Sequence, residues 1–292
     1  MKKFKTVLVL ILVAAMCFSL LAGCGSKTAA ESAAPSASAS GEQPAAEDDL
    51  AYITDNGKMV IGYTVYEPMN YTDDKGEFTG FDTEFAKAVC EKLGVEPEFV
   101  EINWDTKEVE LNAKSIDCIW NGLTITDERS TNMSISLPYV KNAQVIVVKA
   151  DSNIKSTADL VGKTVVAEIG SAGEMQIIGG EDAEPEANLA KANYIGMGKQ
   201  TDCLLEVKAG TADAAVLDWT LAKTMVGEGT DYSDLKILNG VELASEEYGI
   251  AFRQGSNVTE KVNKIIEELV ADGTLPALAE KYGLSLAPEI EK

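Results

Sequence analysis

The chain has 292 residues, of which 46% are hydrophobic, and its formal net charge is −22 at pH 7. This length suits one large or two ordinary domains with an ample apolar core. So acidic a chain is a poor partner for nucleic acid or an anionic membrane surface, and the lack of any histidine removes the commonest general base and metal ligand. We therefore expect no Ser-His-Asp or Cys-His site, no metal and no cofactor.

A secretory signal peptide is predicted for residues 1–23. A basic start with three lysines precedes an apolar run that is too short to span a bilayer comfortably. The run ends in Leu-Ala-Gly before Cys24, which resembles the lipobox of bacterial lipoproteins, whose cysteine receives a diacylglycerol and becomes the mature N-terminus. The alternative is an ordinary cleavable signal with a chance cysteine. We expect acyl chains such as palmitate on Cys24 to hold the protein on the extracytoplasmic face of the cell membrane.

A disordered tether is predicted to follow Cys24 and to fill residues 24–50. This stretch is rich in Ala, Ser, Glu, Gly and Pro and has almost nothing large and apolar, so it cannot bury enough surface to offset its ordering entropy. The globular part then starts near Leu50. Its three cysteines, Cys90, Cys118 and Cys203, are an odd number and are expected to be buried free thiols.

Alternating strands and helices from residue 58 to 138 predict a parallel α/β layer. The predicted strands are 58–63, 97–102 and 116–120. Asp82 is the expected N-cap of a helix that Gly94 closes, and Asp105 is the expected N-cap of the next helix. The turn at 73–76 joins two short extended pieces and predicts a hairpin.

A second series of strands and helices follows Pro138. The predicted strands are 143–149, 160–167, 213–217 and 248–252. A glycine-rich turn at 170–173 opens a helix from Glu174 and offers backbone N–H groups to an anion, but it lacks the Lys-Ser/Thr of a phosphate loop. Thr201 is the expected N-cap of a helix that ends at Gly210. An amphipathic helix is predicted for 258–270, and a short last helix ends at Tyr282.

Arg129 is the residue that first raises the question of a site. Thr126 is the expected N-cap of its helix, and an arginine next to the positive end of a helix dipole is unfavourable. The preceding Asn121-Gly122-Leu123-Thr124 offers a bare backbone and a hydroxyl. With a forked guanidinium these groups suit a carboxylate, although a solvated arginine is the alternative.

The two series repeat one arrangement. In each, a helix and a short polar link (114–117 and 210–213) lead through an apolar strand to a polar residue, Asn121 or Asp218. Open parallel sheets bind ligands at the carboxyl ends of their strands. We therefore expect two α/β lobes that present polar groups to one ligand.

Several short motifs then stand in an order that resembles a known family. They are Gly62-Tyr63, Gly80-Phe81-Asp82, Thr124-Ile125-Thr126, Glu128-Arg129, Pro138-Tyr139 and Tyr248-Gly249-Ile250-Ala251. In this order they resemble the amino-acid-binding proteins of ABC importers, in the polar-amino-acid branch of the extracellular solute-binding proteins. The resemblance covers essentially all of residues 51–292.

This resemblance implies an α/β, two-lobed periplasmic-binding-protein-like fold with two hinge strands and an interlobe cleft. Lobe 1 is then discontinuous, and lobe 2 is inserted into it. The implied bounds are 51–138 with 249–292 for lobe 1, 144–243 for lobe 2, and 139–143 and 244–248 for the hinges.

The resemblance also implies roles for individual residues. Arg129 pairs with the ligand α-carboxylate and Asp218 with its α-ammonium, both through charge-assisted hydrogen bonds. Further donors are expected from Gly122, Thr124, Ser171 and Ala172.

The side-chain end of the ligand is implied to meet a second group of residues, which are Tyr66, Trp104, Tyr63 and Glu168. Asn121, at the end of the first-lobe strand, is also an expected ligand-binding residue. Tyr63 stands where the family often has an acidic residue, and Glu168 where a basic or polar one is common. Glu168 favours a cationic or amide side chain, or else it points to solvent. The ligand itself stays unnamed.

The favoured function is a lipid-anchored, monomeric binding protein that captures a polar L-amino acid by hinge closure and delivers it to ABC permease subunits. One alternative is a sensory lipoprotein that transports nothing, which the sequence does not separate from the first. Another is a dehydratase- or lyase-like enzyme on the same fold. That enzyme needs a positioned acid or base, and without histidine only Glu168 or a Tyr or Lys is available. We therefore expect no enzymatic activity.

Overall fold

A computed structural model of the chain describes residues 48–181 and 183–291. The predicted signal peptide, the lipidation site Cys24 and the predicted tether up to residue 47 lie outside the described residues. The first helix begins at Asp49, and the Asp48 side chain caps it by accepting a 2.9 Å hydrogen bond from the Ala51 N–H. Regular structure therefore begins just inside the stretch that was assigned to the tether.

Helices and strands alternate along the described chain. The helices are α1 (Asp49–Asn56), α2 (Phe81–Leu93), α3 (Lys107–Asn112), α4 (Asp127–Asn132), α5 (Ala172–Ile178), α6 (Gln200–Ala209), α7 (Trp219–Met225), α8 (Val258–Ala271) and α9 (Thr274–Tyr282). The strands are β1 (Lys58–Tyr63), β2 (Tyr71–Thr72), β3 (Phe78–Thr79), β4 (Glu96–Glu101), β5 (Cys118–Thr124), β6 (Met133–Ile135), β7 (Val140–Lys149), β8 (Thr164–Glu168), β9 (Asn193–Met197), β10 (Ala214–Asp218) and β11 (Leu235–Arg253). Strands β2 and β3 form the predicted hairpin.

One mixed sheet runs through the described part of the protein in the order β4-β1-β5-β11-β7-β10-β8-β9, and β6 adds to β11. Strands β4, β1 and β5 are parallel, and so are β10, β8 and β9. Between these groups, β11 and β7 run antiparallel to their neighbours. We call the part built on β4, β1 and β5 the first lobe and the part built on β10, β8 and β9 the second lobe. The predicted two-lobed α/β fold is confirmed.

Strands β5 and β10 lie inside the sheet and are apolar along most of their length. Every residue of β5 and of β10 is buried, as expected for parallel strands covered on both faces. Helix α8 supports the first lobe with an apolar stripe at helical spacing, as predicted. Its buried residues are Val258, Val262, Ile265, Ile266 and Leu269.

The two strands that cross between the lobes are paired with each other. In the antiparallel register of β7 and β11, Val140 lies opposite Tyr248 and Ala143 lies opposite Ser245. The two segments expected to be hinges are therefore neighbours, so that one pair of strands carries the chain between the lobes in both directions.

Local helix-end chemistry was predicted in part. Thr126 caps α4, and Gly94 and Gly210 end α2 and α6 in the left-handed conformation, as predicted. The predicted cap at Thr201 is wrong, because α6 begins at Gln200 after Lys199 and has no side-chain cap. The predicted cap at Asp105 is also wrong. Asn103 caps a short 3-10 turn, Trp104–Thr106, by accepting a 3.1 Å hydrogen bond from the Asp105 N–H, and α3 follows that turn without a side-chain cap.

Asp82 is the third predicted N-cap that is wrong. It is the second residue of α2, which begins after Gly80. Its buried carboxylate accepts hydrogen bonds from the Gly122 N–H at 2.7 Å and from the Tyr139 hydroxyl at 3.0 Å. Burial raises the pKa of Asp82 to about 7. The side chain therefore ties α2 to β5 and to the start of a hinge strand.

A buried ion-pair cluster joins the two ends of the first lobe. Arg253, the last residue of β11, lies 3.0 Å from an Asp49 carboxylate oxygen and 3.4 Å from one of Asp117. It also donates to the carbonyls of Leu111 and Ile116. All of its nitrogens therefore meet acceptors, as a buried guanidinium requires.

The three cysteines of the described residues are free and buried, as predicted. Burial raises the pKa of the Cys90 thiol to about 12, which leaves it protonated and unreactive. None of the described helices is long and apolar enough to cross a bilayer.

Candidate functional site

A small cavity lies at the carboxyl ends of β5, β8 and β10, between the two lobes. Its walls are formed by Trp104, Asn121, Gly122, Thr124, Arg129, Glu168, Ser171, Ala172, Gln200 and Asp218. Nine of these ten residues were predicted from the sequence. The cavity has a volume of about 10 Å³, which is room for about one water molecule.

Arg129 reaches the cavity from the first turn of α4. The Thr126 hydroxyl accepts a 3.1 Å hydrogen bond from the Arg129 N–H, which fixes the start of the helix. The side chain is 2% exposed, and it donates to the carbonyls of Thr124 at 2.8 Å and of Gly170 at 2.9 Å. It forms no ion pair with any described residue. Burial lowers the pKa of Arg129, although Glu246 and Asp218 oppose that shift. A buried cation bonded only to neutral carbonyls is suited to receive an anion.

Asp218 is the last residue of β10 and faces the cavity from the second lobe. Its carboxylate is 6% exposed and accepts from Asn142 Nδ2 at 2.6 Å, from Gln144 Nε2 at 2.7 Å and from Gln200 Nε2. All three donors are neutral amides, and no lysine or arginine of the described chain lies within ion-pair distance. The arrangement orients a buried carboxylate that has no counter-charge, which suits an ammonium group.

Gly122 and Thr124 lie inside β5, not after it, because the strand extends four residues beyond its predicted end. The Gly122 N–H is bonded to Asp82, so its expected role as a donor to the ligand is wrong. Gly122 has φ +59°, and a Cβ there would lie 2.8 Å from Tyr66 Cε1 and 3.0 Å from Tyr248 Cε2. Its contribution is close packing of the cavity wall. The Thr124 hydroxyl donates to Glu246 Oε1 at 3.0 Å.

The β8–α5 turn brings the second lobe to the cavity. Helix α5 begins at Ala172, two residues before its predicted start, and Ser171 Oγ caps it by accepting a 3.1 Å hydrogen bond from the Glu174 N–H. Ala172 is the first residue of the helix, so its N–H has no carbonyl acceptor within the helix. Ser171 and Ala172 both line the cavity, and their role as donors to a ligand stays a prediction.

Glu168 ends β8 and is 3% exposed, which rules out the interpretation that it points to solvent. Its Oε1 atom is buried and has no hydrogen-bond partner among the described residues. Burial, with a further contribution from Asp218, raises the pKa of Glu168 to about 8.

Trp104 and Asn121 complete the wall from the first lobe. The Trp104 ring is buried, and Lys107 Nζ lies 5.0 Å from its centroid. Lys107 also donates to the Gly170 carbonyl at 3.0 Å. Asn121 lines the cavity, but its side-chain amide is bonded to Thr64 and to Asn70. These two hydrogen bonds fix the Asn121 side chain in the cavity wall.

Comparison with known proteins fits this geometry. Residues 59–285 match the family of bacterial extracellular solute-binding proteins, family 3. The chain belongs to this family. It is 31% identical to the arginine-binding extracellular protein ArtP of Bacillus subtilis (strain 168), over 77% of this chain and 86% of ArtP. It is 30% identical to the L-cystine-binding protein TcyJ of Escherichia coli (strain K12), over 80% of this chain and 85% of TcyJ.

Solved structures of family members have the same fold. A mutant of the arginine-binding protein ArgBP from T. maritima superposes with a TM-score of 0.72 and 36% sequence identity, over 80% of this chain and 99% of that one. The resemblance that the sequence motifs indicated is therefore confirmed. These relatives are named as binding proteins and not as enzymes.

Two predicted residues of this solute-binding protein do not line the cavity. The Tyr63 ring packs against Phe78 and Phe99, with its centroid 4.7 Å and 6.3 Å from theirs, and so belongs to an aromatic cluster and not to the cavity wall. The Tyr66 hydroxyl lies 2.6 Å from that of Tyr248, and its ring packs behind Gly122. Tyr66 therefore supports the cavity wall from behind Gly122.

Two residues of the site were missed. Gln200 holds Asp218 from the start of α6, and Glu246 on β11 accepts from Thr124, from Asn142 at 2.5 Å and from Gln144 at 2.8 Å. Burial raises the pKa of Glu246 to about 8. Gln200 directly precedes the predicted cap of its helix, a position from which a side chain reaches the cleft. The pairing of Glu246 with Asn142 depends on the register of β7 and β11, which the sequence does not contain.

The site has no metal centre in the described part of the chain, where no group of His, Cys, Asp and Glu could hold a metal ion. Its chemistry consists of one buried guanidinium and buried carboxylates that face each other across the lobes.

Proposed function

We propose that this solute-binding protein captures an extracellular L-amino acid between its lobes and delivers it to the permease of an ABC importer. The observation that carries this proposal is the pair of buried, oppositely charged groups that lack counter-charges, Arg129 on the first lobe and Asp218 on the second. An amino-acid zwitterion supplies a carboxylate for one and an ammonium for the other. The family, and relatives named for arginine and cystine binding, support the same ligand class.

Hinge closure is the proposed mechanism. A cavity of about 10 Å³ is too small for an amino acid, so the lobes move apart to admit one. The Gly170 carbonyl of the second lobe accepts from Arg129 and Lys107 of the first lobe. These two contacts hold the closed form, and an incoming carboxylate replaces a carbonyl on Arg129. Because both lobes contact the ligand only when closed, the ligand shifts the population toward that form.

The proposed lobes are 51–138 with 249–292 and 144–243, and they turn about the paired hinge segments of β7 and β11. We further propose that the chain carries a cleaved signal peptide and lipidated Cys24 and works as a monomer. Incorporation of labelled palmitate that is lost in Cys24→Ala tests the anchor. A Cys24→Ala protein that still takes up label overturns it.

Binding is tested by a thermal-shift screen of the full-length protein against the L-amino acids and cystine. A ligand at ~100 times its Kd adds ~2.7 kcal/mol to the free energy of unfolding, which is readily seen. Matched amines that lack the α-carboxylate should give no shift. If no amino acid raises the Tm, the proposal fails. A bound amino acid recovered unchanged argues against the enzyme alternative, whereas its turnover would favour that alternative.

A further inference from the structure

Three ionisable side chains line the cavity of the described chain. They are Arg129, Glu168 and Asp218, with exposures of 2%, 3% and 6%. None of them forms an ion pair with another described residue. The cavity therefore contains two carboxyl groups and one guanidinium, all removed from water.

An amino-acid backbone satisfies only two of these groups. In the proposed function, the ligand carboxylate meets Arg129 and its ammonium meets Asp218, which amide donors already orient. Glu168 is then left over. Glu168 lines the cavity, and its Oε1 atom is buried without a hydrogen-bond partner among the described residues. A buried carboxyl oxygen without a donor is costly unless a ligand supplies one.

Lys107 does not supply that donor. Its ammonium donates to the carbonyls of Trp104 at 3.1 Å and of Gly170 at 3.0 Å, and it forms no ion pair in the described structure. Asp218, on the neighbouring strand β10, adds a second carboxylate to the surroundings of Glu168. The ionised form of Glu168 therefore has no counter-charge on the side of the cavity that the ligand backbone does not use.

We propose that Glu168 binds the side chain of the ligand and that the ligand is an amino acid with a cationic side chain. This inference rests on the proposed function and names the substrate class of the same site. A guanidinium or ammonium gives Glu168 both a donor and a counter-charge, so it satisfies the unbonded oxygen and stabilises the ionised carboxylate. A neutral amide side chain supplies the donor but not the counter-charge.

L-arginine and L-citrulline separate these possibilities, because citrulline has the shape of arginine with a neutral urea group. Isothermal titration measures both ligands on the full-length wild-type protein and on Glu168→Gln. We expect wild type to bind arginine at least about 10-fold more tightly than citrulline, and we expect Glu168→Gln to lose that preference. Glu228→Gln removes one exposed carboxylate from the second lobe, and it should keep the wild-type preference.

Equal affinity of wild type for arginine and citrulline overturns the inference and leaves the proposed function intact. So does a Glu168→Gln protein that keeps the preference. Because the wild-type comparison needs no variant, a misfolded Glu168→Gln does not remove the test. If wild type binds no amino acid at all, the proposed function fails and takes this inference with it.

Discussion

Arg129 Nη2 donates a 2.9 Å hydrogen bond to the carbonyl oxygen of Gly170, and this bond joins the first lobe to the second across the cavity. The chain has only one other arginine, Arg253, which is also buried but lies against two aspartates. One buried arginine thus bonds neutral carbonyls, and the other is neutralised within the fold. The two make a matched pair for separating binding from stability.

We expect Arg129→Ala to weaken amino-acid binding by about 30-fold or more, since it removes one partner of a buried charge pair with the ligand carboxylate. The fold should persist, because the lost group has no ion pair in the described structure. Titration with the best ligand and circular dichroism check the two parts. Affinity that survives the change would show that Arg129 does not hold the carboxylate.

Arg253→Ala is the matched control, and we expect the opposite pattern. It leaves Asp49 and Asp117 buried without their partner, which should cost about 3–5 kcal/mol of unfolding free energy. Binding by the folded fraction should be unchanged. Urea denaturation and titration measure these effects. A variant as stable as wild type would mean that the cluster does not hold the two ends of the first lobe together.

Gly122→Ala should destabilise the protein and distort the cavity wall. The added Cβ meets the Tyr66 and Tyr248 rings at 2.8 Å and 3.0 Å, and the alanine backbone must adopt φ +59°. We expect the free energy of unfolding, measured by urea denaturation, to fall by at least about 2 kcal/mol. Gly76→Ala is the control. Gly76 has φ +84° but open space around it, so this substitution should lower the free energy of unfolding by only about 1 kcal/mol. Equal losses in the two variants would argue that crowding at Gly122 is unimportant.

Asp82→Ser distinguishes a helix cap from a buried acceptor. Serine is as good an N-cap as aspartate, but its short side chain cannot reach both the Gly122 N–H and the Tyr139 hydroxyl. We expect the free energy of unfolding of the variant to fall by about 1–3 kcal/mol, because a buried donor is left without a hydrogen bond. Urea denaturation at constant pH measures it. Wild-type stability in Asp82→Ser would restore the interpretation of Asp82 as a cap.

The stability of the ligand-free protein should fall as the pH rises. Folding raises the pKa of Glu168 from an ordinary 4.5 to about 8, so between these values the folded state binds more protons than the unfolded state. Burial is the main cause. Asp218 and Asp202 add to the shift, whereas Lys107 on α3 and Lys199, which directly precedes α6, oppose it.

Thermal unfolding measured from pH 5 to pH 9 checks this dependence on wild type and on Glu168→Gln. The variant should lose part of the decline, because its amide does not titrate. Glu228→Gln, whose carboxylate is exposed, should follow wild type. A Glu168→Gln curve with the full wild-type slope would assign the decline to other groups, such as Glu246 and Asp82.

Local chemistry made much of the fold predictable. Thr126 was recognised as a cap because a hydroxyl before a polar turn bonds its own backbone, and Gly94 and Gly210 were recognised because only glycine is comfortable at a left-handed helix end. Asp82 has the same appearance in sequence as a cap. Its carboxylate is instead used by Gly122, which lies 40 residues away, and no local pattern contains that contact.

The site was predictable where a side chain follows a strand end and less so elsewhere. Asp218 and Glu168 stand at such ends, Arg129 follows β5 in the first turn of α4, and all three line the cavity. Tyr63 also stands at a strand end, but its ring turns toward Phe78 and Phe99, a choice that depends on neighbours from other strands. Register and side-chain direction are properties of the assembled sheet, and a single sequence does not specify them locally.

Strand β11 is the last strand of the described chain, yet it lies at the centre of the sheet between β5 and β7. The strands of the second lobe are close together in sequence, whereas the first lobe needs β11, α8 and α9 to close over β5 and α2. We expect that, during folding, the second lobe forms while the first remains open. Limited proteolysis of a purified fragment that ends at residue 247 should find only the second lobe protected. The half of the protein that begins the chain is then the half that finishes folding last.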